Sequence, residues 1–485
     1  MAGLFGALDL SARALGVTQK GLGVTAHNIA NVNTPGYTRQ RQAIEAALPL
    51  NSATGSIGTG VEQRTIERVH DSFIQARLIQ EHASQGSLEQ EVGVLSQLDS
   101  LFNEQGGDGI TPQLSRLYDS FSTLAAASEP DQPNERANLI GVAQTVVATF
   151  NRFDSQMTDL QRSTDSAIVG LLPEVNKLLE QIAALNQEIA KAESLAPAND
   201  LRDEQERLIR DLASKMEIST IEDNQGLTTV MFEGGIPLVE GQMTSSLLAV
   251  PDPSHPFDPT FSSIHVQTGN QTFDVTSRIT GGELGGLLLS RDVHIADARN
   301  DLDALAFTLA QTVNDQHSLG FDLNGAAGGD FFSVVDPTQV SGAAGSISVA
   351  TAIENDHGAI AAAGLASAES GDTANADLLA GLRSALLPSY QPGDLAGAPS
   401  GLSQTVIQQS ASMISSRGRA SELANFSLSQ QNQVLGEIQD RRDEISGVSL
   451  DEEVTDLIRL QSSYQANARV ISTVNEMLNQ LTSLI

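Results

Sequence analysis

Two heptad-spaced apolar rows sit at opposite ends of this chain and constrain what can lie between them. Near the C-terminus Leu457, Tyr464, Ile471, Leu478 and Ile485 recur at a step of seven, with Leu450, Val454 and Ala468 beside the row. Near the N-terminus Leu8, Leu15, Leu22 and Ile29 repeat that step. Such a row is one stripe of a helix that packs on another helix. The C-terminal segment opens with Ser449-Leu450-Asp451-Glu452, the S-x-x-E pattern of a capping box, and contains neither glycine nor proline. The N-terminal helix, over residues 4–30, would be about 40 Å long. Its glycines at 6, 16, 21 and 23 each cost up to about 1 kcal/mol relative to alanine, so it needs a partner. The first 50 residues carry four basic and two acidic side chains, a net of +2, and residues 449–485 carry two and five, a net of −3. Matching period and opposite sign imply that the two ends pack together or beside copies of themselves.

A length of 485 residues suggests roughly three domains. The net charge of −33 leaves no basic stripe for phosphate neutralisation, so nucleic acid is excluded as a partner. No apolar run approaches the length of a membrane span, so membrane insertion is not expected. With no cysteine, disulfides, thiolate nucleophiles and Cys-ligated zinc are ruled out. The first sixteen residues lack a basic start and carry Asp9, so a cleaved secretory signal is not expected.

The first helix stops at Asn31-Val32-Asn33-Thr34-Pro35-Gly36-Tyr37, where asparagine suits a helix end and Pro35-Gly36 a type II turn. Short extended segments follow, then helices from about His70 to Phe102 and through Leu114, Leu117, Phe121 and Leu124, separated by a glycine-rich loop at Glu104–Gly109. Residues 136–216 are strongly helical. The rows Ile168, Val175, Ile182, Ile189 and Leu171, Leu178, Leu185 read as a bundle or coiled-coil seam, with a kink or helix start near Pro173. From 217 the pattern becomes β-branched and alternating, broken by Asn224-Gln225-Gly226 and Gly234-Gly235. The fold class is therefore mainly α with an inserted small β domain: long terminal amphipathic helices, a helical bundle and a β-rich outer domain. The expected segments are a terminal helix at 1–36, a helical domain in three parts at 37–216, 286–335 and 401–446, a β domain at 217–285, a small Gly/Ala-rich insert at 336–400, and a terminal helix at 447–485.

Catalytic motifs are missing. Asp322-Leu323-Asn324-Gly325 resembles half a calcium loop, but its twelfth position is Ser333 rather than glutamate, so a plain acidic turn is expected. No two of the eight histidines are spaced i, i+4, and surface or capping roles are expected for them. The chain has no G-x-S-x-G, no phosphate loop and no H-E-x-x-H. No enzyme activity, metal or cofactor is expected.

Two further stretches carry a resemblance. His27-Asn28-Ile29-Ala30-Asn31-Val32-Asn33-Thr34-Pro35-Gly36-Tyr37 and Tyr464-Gln465-Ala466-Asn467-Ala468-Arg469-Val470-Ile471 look like the paired terminal signatures of flagellar rod, hook and hook-associated proteins. Ser446-Gly447-Val448-Ser449-Leu450-Asp451-Glu452-Glu453, Asn199-Asp200-Leu201-Arg202-Asp203-Glu204-Gln205-Glu206 and Asn314–Gly325 narrow the resemblance to the hook-associated protein 1 family. The resemblance implies a non-enzymatic subunit of the extracellular bacterial flagellum. It would sit as a ring of copies at the hook–filament junction, between hook protein and the second junction protein. It also implies export by the flagellar type III apparatus, a transient cytoplasmic stage, and a cytoplasmic chaperone on the C-terminal helix. Assembly would run through Leu8, Leu15, Leu22, Asn28, Ile29, Asn31, Asn33, Pro35, Gly36 and Tyr37, and through Leu450, Val454, Leu457, Tyr464, Asn467, Ala468, Ile471 and Leu478. Larger members carry an extra β domain after the Gly-Phe-Asp motif, and residues 331–400 predict a reduced one here. The alternatives are a hook or rod-type axial protein and, from another class, a soluble coiled-coil adaptor.

Overall fold

The computed structural model describes residues 2–52, 55–102, 108–127, 132–222, 227–232, 234–366 and 371–483. Ile485, most of the Glu104–Gly109 loop and the Asn224-Gln225-Gly226 turn lie outside the described residues.

The chain begins with α1 (Ala2–Ala30) and a nested antiparallel hairpin. In the hairpin β1 (Gln40–Ala46) pairs with β4 (Val61–Arg68), and β2 (Leu50–Ser52) with β3 (Gly55–Ile57). Four helices follow: α2 (Ser72–Leu101), α3 (Ile110–Ala125), α4 (Pro133–Glu193) and α5 (Asn199–Lys215). Asp71 starts α2 by accepting the Phe73 and Ile74 amides at 2.9 and 3.3 Å. The β segment is two antiparallel sheets. One is a meander of β5 (Ile218–Glu222), β6 (Thr228–Phe232), β7 (Ile236–Glu240) and β8 (Met243–Thr244). The other places β10 (Ser262–Thr268) between β9 (Ser246–Pro251) and β11 (Gln271–Asp274). Helix returns with α6 (Gly282–Leu289), which runs through a π-helical turn at Ser290–His294 into α7 (Ile295–His317). Three short helices, α8 (Ala343–Ser346), α9 (Thr351–Asn355) and α10 (Ala374–Gly381), precede α11 (Val406–Ser446) and α12 (Leu450–Ser483). A complete capping box between Thr405 and Gln408, both bonds 3.0 Å, begins α11. Among the described residues no helix is long and apolar enough to cross a membrane.

The body has two main cores, and α4 belongs to both. Its first half packs with α3, α7, the start of α11 and residues 331–390, around Tyr118, Phe121, Phe150, Phe307 and Phe331. Its second half carries the expected heptad rows, and Ile168, Val175, Ile182 and Ile189 are all buried. Their cover is a helical seam only in part. Ile168, Val175 and Ile182 lie against α5, α6 and the inner faces of both sheets, through Val230, Phe232, Leu238, Val239, Ile264 and Val266. A heptad row reports that one face of a helix is covered, and a sheet's flat apolar face covers it as well as a helix does. Pro173 starts no helix; it lies within the 61 residues of α4.

Residues 331–400 hold only two-residue strand pairs and short helices among those described, as the small-residue composition predicts. Phe331, Phe332, Ile347 and Tyr390 join the first core. The Asp322 loop is an acidic turn: Oδ1 accepts the amides of Asn324 and Ala326, each at 2.8 Å. One histidine departs from expectation. His317 is fully buried, with Nδ1 2.7 Å from the Gly329 carbonyl and Nε2 accepting the Ala361 amide at 2.8 Å. That is a neutral ring with the proton on Nδ1.

Two predictions follow from this packing. Gly86 and Gly286 bring α2 against α5 and α6: a Cβ on Gly86 would lie 2.2 Å from the Ser214 carbonyl, and one on Gly286 2.2 Å from that of Ser87. Backbone cannot yield as a side chain can, so Gly86→Ala is expected to destabilise by about 1–3 kcal/mol, seen as a lowered denaturant midpoint. Burial lowers the His317 pKa. As pH falls through about 6.5 the unfolded chain takes up a proton that the folded chain refuses, so this contribution is full above that pH and is lost below it. The stability difference between the native chain and His317→Gln, measured by chemical denaturation, should shrink from pH 7 to pH 5.

Candidate functional site

The two ends meet as an antiparallel pair. Asn28 of α1 bonds Glu453 of α12, and seven residues back on α1 Gly21 lies over Leu460, seven residues on along α12. A Cβ on Gly21 would sit 3.3 Å from Leu460 Cδ2. The face of α1 turned inward is made of Ser11, Thr18, Gly21, Val24, Thr25 and Asn28, mostly small or polar. The leucine row Leu8, Leu15, Leu22, Ile29 flanks that face and is half-buried. On α12 Glu453 and Val474 are buried, and Leu457, Leu460, Asn467, Ala468, Ile471 and Leu478 are half-buried. Leu450, Val454 and Tyr464 are exposed, as are Ile458, Val470 and Met477. Periodicity of large side chains located the helices but not the contact, because close approach of two backbones selects small residues, which a search for bulky ones passes over.

Where this pair joins the body, the motif residues converge. The first helix ends, and the chain turns at Gly36 (φ +84°), beside the Arg210 guanidinium. It then runs into β1 through Tyr37, Thr38 and Arg39. Asn28, 1% exposed, makes four bonds there. Its Nδ2 donates to the Gln40 carbonyl at 2.9 Å and to Glu453 Oε2 at 3.1 Å. Its Oδ1 accepts the Gln40 amide at 3.0 Å and the Tyr37 hydroxyl at 2.8 Å. Arg39 donates to Glu453 Oε1 at 2.7 Å and to Glu452 at 2.6 Å, and its amide bonds the Ser446 carbonyl at 2.8 Å. Glu452, the expected capping-box acid, is thus directed to Arg39. Arg442 near the end of α11 donates to the Gly36 carbonyl at 2.9 Å.

From the body, α5 supplies the acids. Asp203 accepts the Thr38 amide at 2.9 Å and pairs with Arg68 at 2.7 Å. Glu206 also pairs with Arg68, at 2.9 Å, and Asp200 accepts from the Gln40 amide side chain at 2.7 Å. His27 stands 3.4 Å from Asp200 and edge-on to the Tyr37 ring. Asn31 bonds back to the His27 carbonyl at 3.0 Å and accepts from Thr34, while Asn33 and Pro35 are exposed.

The electrostatics are those of a desolvated joint. Burial raises the Tyr37 pKa, and Asp200, Asp203 and Glu453 add to it, so the phenol keeps the proton it donates to Asn28. Burial works against the charge on Arg39, but Glu453 and Glu452 outweigh it and raise its pKa. At Asp203 burial wins, and its pKa is raised despite Arg68. That pair positions the joint more than it stabilises it. The arrangement holds no nucleophile beside a base. It can bind segments to one another. Among the expected site residues, Asn28, Asn31, Gly36 and Tyr37 meet here, Asn33 and Pro35 stand exposed in the turn, and the rest line the helix pair or its exposed edges. Arg39, Gln40, Arg68, Asp200, Asp203 and Glu453 belong to the joint but were not among the expected site residues. The signal for them was two acid-rich segments, 199–206 and 446–453, without catalytic use and each in need of donors.

Removing Arg39 leaves Glu453 buried with only Asn28 beside it. Arg39→Ala is expected to weaken the attachment of the helix pair by about 3 kcal/mol. Limited proteolysis should then cut α1 and α12 at least tenfold faster while the body stays intact.

Three family models match the chain in register with this architecture. "Flagella basal body rod protein" matches residues 8–38, "Flagellar hook-associated protein FlgK helical domain" residues 95–332, and "Flagellar basal body rod FlgEFG protein C-terminal" residues 439–484. The flagellar hook-associated protein 1 of Bacillus subtilis is 29% identical over 515 residues, covering 99% of this chain and 98% of that protein. Its Escherichia coli counterpart is 25% identical over 541 residues, covering 97% and 98%. The solved structure of the flagellar hook junction protein FlgK from Burkholderia pseudomallei shares the fold. It has a TM-score of 0.65 and 18% identity, and the match covers 77% of this chain and all of that one. The two terminal matches alone would fit a rod or hook protein; the helical-domain match between them does not, and the chain belongs to the flagellar hook-associated protein 1 family.

Proposed function

We propose that this chain is a structural subunit of the bacterial flagellum that forms the hook–filament junction and is needed for filament attachment and motility. The observation that carries this reading is the joint. The rod-type N-terminal motif, the C-terminal motif and an acidic segment of the matched helical domain close on one another there. The role is mechanical, with no reaction to catalyse.

Its partners are other copies of itself and hook protein. The terminal pair leaves Leu450, Val454 and Ile458 uncovered along one part of α12 and Val470 and Met477 along another. Neighbouring copies complete that burial, and a head-to-tail contact of this kind builds a ring or helix rather than a closed dimer. The second junction protein caps the assembly above. Before export the subunit is transiently cytoplasmic, where a chaperone holds the same apolar edge of α12 and hands the chain to the type III export apparatus. Support for these last steps is the exposed edge together with the family.

Deletion of the chain should give cells with hooks and no filaments, filament protein being shed into the medium. Leu457→Asp with Ile471→Asp should abolish incorporation into purified hook–basal bodies, while the body unfolds at its native midpoint. Normal motility in that double variant would overturn the reading.

A further inference from the structure

The helix pair contains little that could fix how far α1 slides along α12. Apart from Val24 and Asn28, its inward face is Ser11, Thr18, Gly21 and Thr25, small side chains that a neighbouring heptad can accommodate. The chain connections also leave slack. The connector from Asn31 to Arg39 is nine residues long, and a slip of one heptad is only about 10 Å. What is specific to one alignment is polar. Glu453 is 2% exposed, and its two oxygens are met by donors from different places: Arg39 on one, Asn28 on the other. Asn28 in turn holds the connector through Tyr37 and Gln40. A slip by seven residues places Gly21, which has no side-chain donor, opposite Glu453. The carboxylate would then be buried without Asn28, and Asn28 would be buried without its partners, a strongly unfavourable state.

We propose that Asn28, Glu453 and Arg39 form the register key of the terminal helix pair, selecting one alignment of α1 on α12, and that this alignment is what a neighbouring copy recognises. The second clause rests on the assembly role argued above. The key trades stability for uniqueness, as a single buried polar residue does in a coiled coil. Positions at a step of seven on both helices then keep their phase, as Gly21 does over Leu460. The exposed edges of α12 are thereby set at fixed heights relative to the body.

The native chain has no cysteine, so the alignment can be read by disulfide mapping on the full-length secreted protein. Gly21→Cys with Leu460→Cys reports the native register; the tip of Gln42, 2.9 Å from the new Cβ, can move aside. Gly21→Cys with Asn467→Cys, and Ala14→Cys with Leu460→Cys, report slips of one heptad in either direction, and at about 10 Å they lie beyond disulfide reach in the native register. With the key intact only the first pair should oxidise. In Asn28→Leu with Glu453→Leu the slipped pairs should form in yields within threefold of the native pair, the body should still unfold cooperatively, and incorporation into hook–basal bodies should fall at least tenfold. Glu453→Gln, which keeps one acceptor oxygen but turns an N–H toward the second donor, should give more of the native pair and less of the slipped pairs than the leucine variant does. Exclusive native cross-linking in the leucine variant, or incorporation at the native level, overturns the inference. So does loss of folding in that variant, which would make the cluster an ordinary structural contact. The cross-links are read without assembly, so they stand apart from the deletion phenotype that tests the junction role.

Discussion

A carboxylate taken out of water must be met by donors where it lies, and Glu453 is met by residues 414 and 425 positions away in the chain. That requirement organises the molecule. It closes the ends on each other, and with Asp203 receiving the Thr38 amide it fixes the pair to α5. Because the joint is polar throughout, its strength depends on geometry rather than on area. Each bond is directional, and the loss of one leaves its partner unsatisfied. A purely apolar joint of the same size would tolerate many arrangements.

The body solves the complementary problem. There the terms are non-directional: Phe121, Phe150, Phe307 and Phe331 in one core, and the covered faces of two sheets in the other. Polar groups are buried there too: the Tyr118 hydroxyl and the Gln132 amide lie buried without a hydrogen-bond partner among the described residues, while others are engaged. Arg291 at the π-helical turn pairs with Asp165 at 2.5 Å, bonds the Ser262 carbonyl and stacks over Phe261. Asp303 is raised to about 6, chiefly by burial, and holds the amides of Gly342 and Ala344 to α7. These contacts pin loops onto helices without setting the overall packing.

Much of this was legible in the residues. Helix positions followed from periodicity, the β segment from alternation, and the family from motifs at both ends, since each of these is a local or strictly spaced signal. What covers a stripe is not local. The α4 rows gave the buried face correctly and the covering elements only in part, and Leu8, Leu15 and Leu22 are half-buried beside the more deeply buried Ser11, Thr18, Gly21 and Thr25. His317 was also hidden, because its two partners, Gly329 and Ala361, offer only backbone, which no sequence pattern records. The joint was half visible: Asn28, Tyr37, Asp200, Asp203 and Glu453 stood in three quoted motifs, but Arg39, Gln40 and Arg68 did not, and the pairs that close it span up to hundreds of residues.

The 61 residues of α4 run about 90 Å and pass through both cores without interruption. A continuous helix gripped along its length is stiff in bending and in torsion. The two halves of the body are thereby tied along one rod, and the nine-residue connector and the Gly447–Ser449 link join that rod to the terminal pair through the bonds of the joint. A load passed between subunits would therefore cross from the paired helices to the body through those few polar bonds before it is spread along α4.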